Sequence, residues 1–88
     1  MVMLTPAQLT VLRNAKAGHV YRSEWGHDLY ACYDRAQNNR GRDKNVTAVV
    51  KRLSAQGFLR IGDQSVMTRP WHVTEAGEKA LAQTENAS

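Results

Sequence analysis

The sequence predicts a small α+β domain, mainly helical with one β-hairpin, in the order helix, strand, helix, helix, hairpin, helix. Three observations predict it. LTPAQL near the N-terminus carries several helix-start signals at once. Val46, Val49, Val50 and Leu53 recur at i, i+3, i+4, i+7, the spacing of one buried helical face. FLRIG and WHVT flank the polar DQSVMTRP as two strands flank a hairpin tip.

Thr5 suits an N-cap, Pro6 the first helical position, and Gln8 the return half of a capping box. Leu9 and Leu12 continue the apolar face, and Gly18 can take the left-handed conformation that stops the helix, giving a span of 5–17. HVYR at 19–22 reads as a short strand. In SEWGHDLYACYDRAQ, residues Trp25, Leu29, Cys32, Tyr33 and Ala36 follow a helical spacing, which favours a helix over 24–37. The alternative pairs VYRS with LYACY as a hairpin turning near Gly26. NNRGR at 38–42 reads as a loop.

Asp43 is the expected cap of a second strong helix, 43–56, ended by Gly57. Residues 58–74 form the hairpin, with Pro70 tolerated at the start of its second strand. Thr74 caps a last helix, TEAGEKALAQ, and the tail should fray. Residues 1–83 thus make one domain and 84–88 a frayed C-terminal end.

Charge is unevenly spread. Residues 34–60 hold seven basic and two acidic groups, a local +5, in a chain whose net charge is +4. Such a segment attracts polyanions, nucleic acid foremost. On a helical wheel of 43–56, the face opposite the valines is led by Lys44, Ala48, Lys51 and Ala55, flanked by Thr47 and Arg52. A small residue between two lysines lets a helix backbone approach a groove while the lysines reach phosphate or a guanine edge.

The layout is that of a winged helix-turn-helix, and the motifs sharpen it. VTAVVKRLSAQGFLRI followed by RPWHVTEAGEKAL resembles the recognition helix, wing and following helix of the MarR and PadR regulator families. The likeness rests on the apolar spacing ending at Leu53, on Gly57 and Phe58, on Arg60 and Arg69 in the wing strands, and on the T-x-x-G of Thr74 and Gly77. It covers residues 43–82; over 1–42 only the layout matches.

This resemblance implies a sequence-specific regulator of transcription, a repressor, bound to double-stranded DNA. Lys44, Thr47, Ala48 and Lys51 would contact bases in the major groove, while Arg40, Arg42, Asn45, Arg52 and Arg60 hold the backbone. The wing would offer Gln64, Ser65 and Arg69. A homodimer through the first or last helix would supply two-fold DNA recognition. MarR relatives dimerise through long terminal helices and bind phenolic ligands between domains. Those helices are missing here, so no small-molecule effector is expected. Pro70 and Trp71 are similar to the wing of Z-DNA-binding domains, but the asparagine and tyrosine those domains use are replaced by Thr47 and Lys51, so left-handed DNA is not the expected target.

Other chemistry finds little support. His19, His27, Cys32 and His72 stand in no metal-ligand spacing, and neither a metal nor a cofactor is expected. No Gly-rich phosphate loop, carboxylate pair or nucleophile-base set emerges, so an enzyme is not expected. A lone cysteine and the absence of an export signal or a long apolar run suggest the cytoplasm and no membrane. The alternative function is a winged helix used for protein interaction or assembly, without DNA.

Overall fold

Thr5 and Gln8 close the expected capping box in the computed structural model, which describes residues 4–63 and 65–87. Gln8 N donates to Thr5 Oγ1 at 3.2 Å, and Thr5 N donates to Gln8 Oε1 at 3.0 Å. Helix α1 (Pro6–Lys16) follows. Its Val11, Leu12 and Ala15 are buried, and Gly18, at φ 87°, turns the chain into β1 (Val20–Ser23).

Residues 24–37 are not a helix. A loop leads into strand β2 (Cys32–Asn39), which turns into β3 (Arg42–Asn45). The weighed alternative is nearer: β1 pairs with the following strand, Val20 with Asp34, Tyr21 with Tyr33 and Arg22 with Cys32, but of LYACY only Cys32 and Tyr33 lie in that strand, and residues 24–31 form the connecting loop. The apparent helical stripe marked no single buried face, because Trp25 and Leu29 are exposed whereas Cys32 is buried. Period two wins instead: Cys32 and Asp34 are buried, and Tyr33 and Arg35 alternate to the other face.

The segment 38–42 is correspondingly no open loop. Arg40 and Gly41, at φ 55° and 78°, form a two-residue hairpin turn of the left-handed kind that matches strand twist. The ladder shifts register between Asp34 and Asn39, and Asp34 Oδ1 accepts from Ala36 N at 2.9 Å, satisfying a backbone group at the irregularity.

The second helix is shorter than 43–56, since residues 42–45 belong to β3 and α2 spans Thr47–Ala55. Asp43 does not cap it. Asn45 does the equivalent work, its Oδ1 accepting from Thr47 N at 3.0 Å and from Thr47 Oγ1 at 2.7 Å. The end is as expected. Phe58 N donates to Leu53 O and Gly57 N to Ser54 O, both at 2.9 Å, with Gly57 left-handed at φ 81°, the Schellman pattern.

Strands β4 (Leu59–Ile61) and β5 (Thr68–Val73) pair as the expected hairpin, and α3 spans Glu75–Ala87. Gly77 N donates to Thr74 Oγ1 at 3.0 Å, while Thr74 Oγ1 donates to Gly57 O at 2.6 Å. One threonine thus caps α3 and ties its start to the end of α2. The expected frayed tail is helical as far as Ala87, because Thr84 is buried and accepts from Leu4 N at 3.2 Å. That contact joins residues too far apart in sequence to be read from it.

The five strands form one antiparallel sheet in the order β3-β2-β1-β5-β4. Helix α1 crosses the central strands and touches both α2 and α3, so the helices share one face. Leu12, Val20, Val50 and Leu53 are fully enclosed between the layers. Truncating such a side chain to alanine costs about 2–5 kcal/mol.

Candidate nucleic-acid interface

On α2, Val50 and Leu53 face the core, and Ala48, Lys51, Arg52 and Ala55 are exposed. The helix therefore presents a small residue followed one turn on by two cations. Lys44 is on β3 rather than on the helix. It stands opposite Asp34 in the ladder and borders a groove with Pro6, Ala7 and Thr10 of α1 and Val49 of α2. A second depression, lined by Thr5, Gln8, Ala48, Val49 and Arg52, continues it along α2.

Arg40 lies at the β2–β3 turn and Arg42 just after it, both exposed. Asn45 and Thr47 are engaged with one another, and the Thr47 hydroxyl also accepts from Cys32 N at 2.9 Å. Arg60 is exposed on β4, opposite His72 in the ladder. Its neighbours Leu59 and Ile61 pair with Val73 and Trp71 on the helical side, so Arg60 projects from the other side of the sheet, away from α2.

The β4–β5 hairpin differs most from expectation. Arg69 is half-buried and meets Glu24 Oε1 at 2.8 Å, a charge contact without the alignment of a hydrogen bond. Ser65 is exposed at the tip, where its N donates to Thr68 O, and Gln64 lies outside the described residues. Beside Ser65 the tip shows Val66 and Met67, not charge.

Ion pairing follows the charge distribution. Arg13, Lys16, Arg22, Arg69 and Lys79 each lie within 4.0 Å of a carboxylate oxygen. None of them lies between residues 35 and 60. The seven cations that do, Arg35, Arg40, Arg42, Lys44, Lys51, Arg52 and Arg60, have no such partner among the described residues.

The two acids of this segment are occupied by neutral donors. Asp34, fully buried, accepts from Asn14 Nδ2 at 2.7 Å and from Gln37 Nε2 at 2.8 Å. Asp43 accepts from Tyr21 Oη and from Asn38 Nδ2. The Tyr21 hydroxyl, followed by Asn38, holds the Asp43 carboxyl below its ordinary range; burial opposes this and the charge of Arg35 adds to it. Burial and then the bond to Asp43 push Tyr21 up to about 12. Both carboxylates are thereby fixed as structural acceptors.

The chain matches no protein-family model, no curated protein and no solved structure.

Arg35 is the cation the sequence reading passed over. It sits on β2 with its guanidinium 4.3 Å from the centre of the Tyr21 ring. A period-two reading of 32–39 would have placed it beside Tyr33 on an open sheet face. Cys32 is buried, and burial pushes its thiol up, opposed by the Trp71 N–H and by Arg22 and Lys51. Among the described residues no group of three or more His, Cys, Asp or Glu could hold a metal ion, and no helix is long and apolar enough to cross a membrane.

Proposed function

We propose that this protein binds double-stranded DNA and regulates transcription by occupying its site, as a repressor does. One observation carries the reading: among the described residues, no cation from Arg35 to Arg60 lies within 4.0 Å of a carboxylate oxygen, while the paired cations lie elsewhere. Solvated, unpaired cations on a rigid hairpin and helix are what a phosphate backbone recruits with release of counterions.

In this reading α2 lies in the major groove. A helix with its side chains is about 10–12 Å across, which the major groove, about 12 Å wide, admits. Ala48 permits close approach, Lys51 and Lys44 reach base edges or phosphates, and Arg52 holds a phosphate. Arg40 and Arg42 grip the backbone from the β2–β3 hairpin, which occupies the place of the first helix of a helix-turn-helix. The β4–β5 hairpin is the wing. Thr47 and Asn45 shape the start of α2, and Arg60 serves only where DNA wraps past the β4 edge.

The test is fluorescence anisotropy of the whole chain with a 30-base-pair random duplex, from about 50 to about 300 mM salt. Binding whose log K falls with log salt at a slope of several units supports the reading. Absence of binding at about 50 mM salt overturns it. Lys51→Ala should weaken binding and relax sequence choice, whereas Arg52→Ala should weaken all sequences alike.

A further inference from the structure

Two loops at one end of the sheet expose apolar side chains together. Trp25, Leu29 and Tyr30 come from the β1–β2 loop and are 60%, 47% and 59% exposed; Val66 and Met67 come from the wing tip and are 82% and 50% exposed. Glu24 N donates to Met67 O at 2.9 Å, and the Glu24 carboxylate is held between Arg22 and Arg69, so the loops form one surface. Tyr30 and Met67 are both left-handed, at φ 69° and 61°, an unfavourable conformation for such side chains. The chain accepts backbone strain in both loops while leaving these side chains in water.

We propose that a second copy of this chain docks here across a two-fold axis. Two features single out a second copy as the occupant. Charge is balanced around the patch, with Arg22 and Arg69 against Glu24 and Asp28, so the face can meet itself without like charges opposing. The unpaired cations of 35–60 make the α2 and β3 side unfit for that.

Size is the second feature. Five large side chains exposed to this degree present on the order of 600 Å² per copy, and the pair buries about 1,200 Å², the lower end for a specific interface. The dimer is therefore a weak one, and it forms through loops rather than through the first or last helix.

The experiment is sedimentation equilibrium of the full chain without DNA, from about 1 to 200 μM, at about 50 and 500 mM salt. A monomer–dimer equilibrium in the micromolar range, undiminished at high salt, supports the proposal. Val66→Asp and Trp25→Asp should each weaken it at least tenfold. Val66 is too exposed for its replacement to disturb the fold, and circular dichroism checks Trp25→Asp. A chain monomeric up to about 200 μM, or a dimer indifferent to Val66→Asp, overturns the proposal. Because DNA is absent and the expected salt response is opposite to that of phosphate contacts, failure here is separate from failure of the DNA-binding reading.

Discussion

Asn14 Nδ2 donates to Asp34 Oδ2 at 2.7 Å, so the last turns of α1 are fastened to the second strand through a carboxylate that water does not reach. Gln37 Nε2 and Ala36 N donate to the same carboxylate. Asp34→Ala would leave all three donors without this acceptor. It should cost about 2–3 kcal/mol, read as a lower urea midpoint at unchanged m-value.

Gly77 has no room for a side chain. A Cβ there would stand 2.3 Å from Phe58 O, a backbone atom that cannot swing away. Although alanine favours a helix over glycine, Gly77→Ala should destabilise the chain by about 1–3 kcal/mol, against the sign that propensity alone gives. Thermal melting of the two proteins decides it.

The Tyr21–Asp43 bond sets a pH dependence at both ends of the scale. Tyr21 keeps its proton up to about 12 in the folded chain, against 10.0 for the free side chain, so between these values the folded state binds more protons than the unfolded. Its contribution is whole below pH 10 and is lost as pH rises towards 12, and Tyr21→Phe should flatten that part of the stability profile. Asp43 works in the opposite sense. Its contribution is present above 3.8 and is lost as pH falls through its lowered folded value, a loss that Asp43→Asn should abolish.

If Arg40 and Arg42 each neutralise one phosphate, the double alanine variant should reduce the salt slope of DNA binding by about 2 units. Arg13→Ala and Lys16→Ala, at positions already paired with Glu85 and Glu78, should leave it unchanged. An equal reduction in both sets would mean that bulk charge, not this surface, drives binding.

Thr47→Ala should lower stability by about 1 kcal/mol, since the hydroxyl joins Cys32 N to Asn45 Oδ1 at the start of α2. In a selection from random duplexes the variant should keep the wild-type sequence preference. A changed preference would return Thr47 to the base-reading set.

Whatever depends on neighbours in sequence could be read from the sequence itself. The Thr5–Gln8 box, the apolar positions of α2, its stop at Gly57, the β4–β5 pairing and the Thr74 cap all rest on residues a few places apart, with side chains whose local preferences agree. The basic character of 34–60 was likewise written in composition. Only the tertiary structure decided what 24–45 would be. Its apolar spacing fits a helix as well as a strand, and the choice turns on distant partners: β1 for the ladder, Asn14 for Asp34, Thr47 for Cys32 N. The same distance effect moved Lys44 off the helix, drew Arg69 to Glu24, and left Trp25 and Met67 exposed in loops joined by the bond from Glu24 N to Met67 O. Local patterns fix elements, but which cations stay unpaired is settled by where the acids find their hydrogen bonds.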